Sequence, residues 1–143
     1  MLSKYETSRF IKAQDTAYKV VLAELQSGCK QSHWIWYIFP QLAALGSSAT
    51  AKFYGIKNLE EAKEYFNHPI LGPRLIECTT LLLGIKDKSA FEILGTPDDL
   101  KLKSCMTLFG LAAPYENLFN EVLSKFYNAE KDLITIELCN GFI

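Results

Sequence analysis

LGPRLIECTTLLLGI, residues 71–85, is the stretch that decides the fold. Leu71, Leu75, Cys78, Leu82 and Ile85 recur by fours and threes, which places them on one face of an α-helix. Pro is favourable at a first helical position, so the helix is expected to start near Gly72-Pro73. Upstream, His68 precedes Pro69 and is pushed out of the helical region. A preceding helix, capped by Asn58 and running from Leu59 to about Phe66, must therefore end near Asn67. Its acids Glu60, Glu61 and Glu64 are expected to face solvent.

Helical spacing continues in both directions. Phe10, Gln14, Ala17, Val21 and Leu25 share a face, with Gly28 as the stop and Gln14 as the one polar member. Ser32 is placed to cap a short helix that holds the run His33-Trp34-Ile35-Trp36-Tyr37-Ile38-Phe39, broken by Pro40. Gly46-Ser47-Ser48 reads as a loop before a short segment ending at Gly55. Ser89 caps a short helix ending at Gly95. Thr96-Pro97-Asp98-Asp99 is a strong helix start, with a capping hydroxyl, a proline and two acids at the positive end of the dipole. That helix reaches about Leu111, burying Leu102, Cys105/Met106 and Phe109. Pro114 separates it from a helix over Glu116–Tyr127. Asp132 suits a last helix through Leu138, although DLITIEL also suits a strand. Strand and helix never alternate regularly, which predicts one all-α domain of about six to eight helices spanning residues 1–143.

Composition narrows the function classes. A chain of 143 residues, 49% hydrophobic and 22% charged, is ordinary for a soluble domain. A formal net charge of −1 gives no broad basic field, so neither nucleic acid nor an anionic membrane is an expected partner. No apolar run approaches the ~20 residues of a membrane span, and the start MLSKYETSRF lacks the apolar core of a signal peptide. Cys29, Cys78, Cys105 and Cys139 form no CxxC or Cys/His ligand set, so no metal is expected and the thiols point to a reducing, cytoplasmic location. No cofactor motif is present, and the expected state is a monomer or small homo-oligomer.

The aromatic run is the first candidate for chemistry. It holds both tryptophans of the chain, each ring burying roughly 150–250 Å². Trp34 and Trp36 are candidates to stack a base or a sugar face, and Gln41 follows with an amide that must find a partner if buried. His33 suits a general acid or base near neutral pH. In the second stretch, His68 and Arg74 flank a Gly-Pro corner at a helix start, an arrangement suited to a phosphate or carboxylate. A third group is Asp98 and Asp99, candidate general bases whose position also explains them as dipole-compensating acids. Lys101 and Ser104 follow on one helix face. Lys30 and Gln14 complete the candidate ligand-binding set. Against each stands a plain structural reading: rings as core, Gln14 as a helix-packing amide, Arg74 paired with a neighbour such as Glu77.

The segments SHWIWYIFPQLAALG (32–46), HPILGPRL (68–75) and LGTPDDLKLKSCMTLF (94–109) closely resemble an uncharacterised bacterial family carried as a domain of unknown function. Some of its members bear the label calpastatin. Arg9-Phe10, Gln14, Tyr18 and GCK at 28–30 extend the likeness over nearly the whole chain. The resemblance implies an all-helical fold and no particular activity. A remoter likeness, resting on fold type and a loose pattern from Met106 to Lys125-Phe126, is to the YbiA-like (NADAR) group, associated with ADP-ribose and riboflavin-pathway N-glycoside chemistry. That group's catalytic Glu has no matching motif here. Together these features imply a metal-independent enzyme acting on a nucleotide-like or ADP-ribose-like N-glycoside. Trp34 and Trp36 would stack, Lys30, His33 and Arg74 would hold phosphate, and Asp98 or Asp99 would activate water. The alternative is a non-catalytic module that binds a small molecule or partner. Protease inhibition finds no support, because calpastatin-type inhibitors resemble disordered repeats and this chain is compact and non-repetitive.

Overall fold

The computed structural model describes residues 5–141, and among these the regular structure is helical. In chain order the helices are α1 (Ser8–Ser27), α2 (Ile35–Ile38), α3 (Ala49–Phe53), α4 (Leu59–Asn67), α5 (Leu71–Leu83), α6 (Ala90–Leu94), α7 (Asp98–Ala112), α8 (Leu118–Tyr127) and α9 (Leu133–Cys139), with a 3-10 turn at Ala43–Leu45. Nine helices among the described residues exceed the six to eight expected. The surplus lies in one-turn pieces such as α2 and α3, too short to show a period. DLITIEL folds as helix, with the Asp132 carboxylate accepting from Thr135 N–H.

α7 is the axis of the molecule. It buries Leu102, Ser104, Cys105, Met106, Thr107, Leu108, Phe109 and Ala112, which is nearly its whole circumference along the second half. A helix apolar on all sides must be enclosed, and α4, α8, α6, α9 and α2 enclose it. α5, the helix of the 71–85 stretch, packs on α1, α4 and α8. It begins at Leu71 rather than at Gly72-Pro73, because His68 Nδ1 accepts from the N–H groups of Ile70 (3.1 Å) and Leu71 (3.3 Å). Gly72 is required there: a Cβ would stand 2.1 Å from the Phe66 carbonyl oxygen.

Three further expectations are corrected. Ser32 does not cap the aromatic run, since Trp34 occupies that position and Ser32 turns back to Glu24. Thr96 does not cap α7, since Pro97 is the cap residue and Asp99 N–H reaches back to Gly95 at 3.0 Å. Glu61 does not face solvent. It is fully buried and pairs with Arg9 at 3.1 Å, a partner 52 residues away that no local pattern announces.

The connection between the aromatic run and α4 is a loop with tied ends. Ala43 N–H donates to Ile56 O at 2.8 Å and Ile56 N–H to Gln41 O at 2.9 Å. Between these bonds lie the 3-10 turn and α3, and Gly55 lets Ala43 pass so closely that a Cβ would fall 2.3 Å from its Cα. Closed ends and internal packing of this kind define an Ω-loop. Arg9 pins its far end through Phe53 O (2.8 Å) and Gly55 O (2.9 Å).

Candidate functional site

The Ω-loop stands across from the exposed shoulder of α7, and a cleft of about 460 Å³ lies between them. Gln41, Ser48 and Ala51 line it from the loop, Lys101 and Ser104 from α7, and Asp132 from the start of α9. Beside it, a void of about 10 Å³ opens against Trp36, sharing Gln41, Ala51 and Lys101 as walls and adding Tyr54. α7 presents Leu100, Lys101 and Ser104 to the cleft because Ser104 lies three residues from Lys101 and four from Leu100, on one helix face.

Trp36 and Lys101 form the centre of the arrangement. The Lys101 ammonium lies 5.1 Å from the Trp36 ring centroid, within cation–π range. The Trp36 indole N–H is buried and has no protein acceptor among the described residues. Leaving such a donor unpaired costs roughly 1–3 kcal/mol.

Lys101 is only loosely held by charge, 3.9 Å from Asp98. Asp98 pairs more closely with Lys30, at 2.8 Å. The Lys30 side chain is 6% exposed and its ammonium lies 5.1 Å from the Trp34 ring. Lys30 thus stitches the 28–34 segment to the start of α7, and Asp98 stands between two ammonium groups at the edge of the cleft. Lys30 and Lys101 outnumber Asp98 by one charge at this end, while Asp132 places a carboxylate at the other end of the cleft.

Trp36, Gln41, Lys101 and Ser104 are therefore brought together, with Lys30 and Asp98 adjoining. The other candidates lie elsewhere. Trp34 is 1% exposed and sealed in the core, its indole N–H donating to Glu24 at 2.9 Å. His33 is exposed and lines neither the cleft nor the void beside it. Asp99 accepts from Leu100 N–H and, through its carbonyl, from the Tyr127 hydroxyl. Gln14 is buried and spans three elements, donating to Tyr37 O (2.7 Å) and to the Tyr65 hydroxyl (3.0 Å). Burial pushes the Tyr65 phenol well above its ordinary range, which keeps it neutral beside Gln14. Arg74 donates to Gln14 Oε1 at 3.3 Å and to Asp15 at 2.9 Å, and lies over the Tyr18 ring. His68 is occupied by the first turn of α5. Hence the 68–75 stretch faces α1, not the cleft.

Residues the sequence did not single out complete the walls: Ser48, Tyr54 and Asp132. Asp132 reads as a cap and does cap, while Ser48, read as part of a loop, caps α3, its Oγ accepting from Ala51 N–H at 3.1 Å. At two other surface depressions a lysine is committed to backbone carbonyls. In the groove between the ends of α1 and α5, Lys88 donates to Gly28 O at 3.0 Å. On α8, Lys125 donates to Leu83 O and Ile85 O. The thiols offer no nucleophile in the core, since burial pushes Cys78 up to about 12 and Cys105 well above its ordinary value. All four cysteines are unpaired. Among the described residues no three His, Cys, Asp or Glu side chains cluster as a metal set, and no helix is long and apolar enough to cross a membrane.

The fold has a solved counterpart. The structure is similar to the crystal structure of the conserved hypothetical protein Rv1873 from Mycobacterium tuberculosis, with a TM-score of 0.95 and 46% sequence identity over 96% of this chain and 99% of that one. No curated protein matches the sequence. A family model described as "Protein of unknown function (DUF1810)" matches residues 4–139, nearly the whole chain, and the protein belongs to that family.

Proposed function

We propose that the protein binds a small, flat, anionic molecule of nucleotide type in the cleft between the Ω-loop and α7. The observation that carries this reading is the Lys101 ammonium over the face of Trp36, beside an indole N–H with no protein acceptor. A phosphate takes Lys101, whose bond to Asp98 is long and which Trp36 backs through its ring face, and the apolar walls Leu45, Pro97 and Leu100 accept a planar or sugar face. The remote likeness to the YbiA-like group points to the same ligand class, ADP-ribose and related N-glycosides. Four unpaired cysteines fit a cytoplasmic setting.

Titration calorimetry with ADP-ribose and AMP tests the reading. Wild type binds at least one of them with sub-millimolar affinity. Lys101→Met weakens that binding about ten- to a hundredfold, the value of one charge-assisted hydrogen bond of roughly 1.5–3 kcal/mol. Arg74→Met leaves it unchanged, because Arg74 faces α1. Equal loss in both variants, or no heat from either nucleotide, removes the reading.

A second reading, hydrolysis of the N-glycosidic bond, is favoured by the setting of Asp98. Its carboxylate lies 2.8 Å from Lys30 and 3.9 Å from Lys101, so a phosphate that draws Lys101 away leaves it one ammonium partner. It takes a proton from water as the water oxygen bonds to the anomeric carbon, the C–N bond breaks with its electron pair to the nitrogen, and that nitrogen receives the proton. Release of free base from the bound nucleotide, abolished by Asp98→Asn, supports turnover. Binding with no release on prolonged incubation leaves a non-catalytic module.

A further inference from the structure

Asp132 is the one carboxylate that lines the cleft itself, and its two oxygens are used unequally. Oδ2 accepts from Thr135 N–H at 3.1 Å and from the Thr135 hydroxyl, which caps α9. The Asp132 backbone N–H donates to Thr107 Oγ1 at 2.9 Å. The carboxylate is thus held from both sides, yet no described residue donates to Oδ1. It has no counter-ion among the described residues either: Lys103, on the same side of α7, goes to Glu130 at 3.6 Å.

A fixed, uncompensated carboxylate repels the phosphate that Lys101 attracts, so the two ends of the cleft ask for different chemistry. The Asp132 end needs a neutral donor. Its neighbours in the cleft are also suited to neutral polar groups. Ser48 Oγ already accepts from Ala51 and keeps its O–H to donate, while Ser104 lends its hydroxyl to Leu100 O at 3.3 Å and keeps its lone pairs to accept. Gln41 brings an amide that both donates and accepts. Leu45, Pro97 and Leu100 lend apolar surface between them. Hydroxyls on a carbon ring meet these demands together.

From this we infer that Asp132 is a specificity residue that accepts hydrogen bonds from the hydroxyls of a ribose, with the ligand's phosphate at Lys101. The inference rests on the nucleotide reading above and adds the requirement for the sugar's 2′-hydroxyl. Asp132→Asn is the informative variant, because Asn caps a helix about as well as Asp and so preserves α9 while removing the charged acceptor.

The experiment compares AMP with 2′-deoxy-AMP by titration calorimetry on wild type and Asp132→Asn, with thermal melting as a check on the fold. Wild type binds AMP about ten- to a hundredfold more tightly than the deoxy form, the usual worth of a hydrogen bond to a charged group. Asp132→Asn brings the two within about threefold of each other. Equal binding of the two nucleotides by wild type, or a preference that survives in Asp132→Asn, overturns the inference while leaving the nucleotide reading intact. No binding of either nucleotide to a folded wild type overturns the inference, and the nucleotide reading with it when ADP-ribose gives no heat either.

Discussion

Arg9→Met lowers the stability of the protein by about 3–5 kcal/mol, the largest single effect expected outside the apolar core. The guanidinium is 8% exposed and its partner Glu61 side chain 1% exposed, so the pair is desolvated. Arg9 also donates to the Glu6, Phe53 and Gly55 carbonyls, which ties the start of α1 to the far end of the Ω-loop. Methionine fills the volume but leaves a buried carboxylate with only the Lys57 N–H, at 2.7 Å, to satisfy it. Removing one member of a buried pair is costly chiefly because the other charge stays in the interior uncompensated. The double variant Arg9→Met/Glu61→Gln, in which Gln still accepts from Lys57, therefore recovers about half of the loss. Urea unfolding of the three proteins measures this. A single variant within 1 kcal/mol of wild type, on the scale of an exposed ion pair, shows that the pair is not desolvated as described.

Glu24→Gln has the second effect, and it depends on pH. The Glu24 carboxylate accepts from Gln31 N–H (2.8 Å), Ser32 N–H (3.0 Å), the Ser32 hydroxyl (2.6 Å) and the Trp34 indole (2.9 Å). Desolvation works to raise its pKa, but these four donors outweigh it and lower the value from 4.5 to about 2. As pH falls, the unfolded chain takes up the proton first, so acid favours unfolding. The stabilisation is complete above about 4.5 and is lost as pH drops toward about 2. Glu24 is partly open to solvent, and screening reduces the effect to about 1–2 kcal/mol. Melting temperatures of wild type and Glu24→Gln differ fully at pH 6–7 and converge between pH 4.5 and 2. A gap that stays constant over that window contradicts the account. The knot matters for the cleft because it fixes the segment from which Lys30 and Trp36 project.

Most helices were legible because their signals are local. The 71–85 periodicity, Asn58 and Ser89 as caps, and Gly28 in the left-handed region after α1 depend on residues within a turn or two of one another. Cap positions were the weak point: Ser32 has the right side chain, but Glu24 competes for it across the end of α1. Polar positions inside apolar stripes were ambiguous in principle. Gln14 lies inside α1 and Glu61 in the first turn of α4. The sequence made one an oddity and the other a surface acid, yet both are buried with partners more than fifty residues away. Desolvated pairs are settled by tertiary packing, which a helical period does not encode.

The candidate site divides along the same line. Lys101 and Ser104 share a face through helical spacing alone, and Trp36 and Gln41 flank the end of one short helix, so each half was visible. Their meeting was not, because it depends on an Ω-loop closed by two backbone bonds. The chemically similar pair Trp34 and Trp36 separates for a simple reason: they lie two apart on a short helix and point to different sides. One enters the core toward Glu24 and the other meets Lys101. Arg74, the most suggestive cation in the sequence, is used to hold α5 on α1.

The two tryptophans make the central claim directly measurable, since a ¹⁵N-labelled sample gives one indole N–H signal for each. ADP-ribose titrated into wild type shifts the Trp36 indole signal and the backbone amides of Gln41, Lys101 and Ser104, while the Trp34 indole, held by Glu24, stays in place. A shift confined to the Trp34 indole, perturbations at the Lys88 groove or around Arg74 instead, or no change at millimolar ligand contradicts a nucleotide site between the Ω-loop and α7.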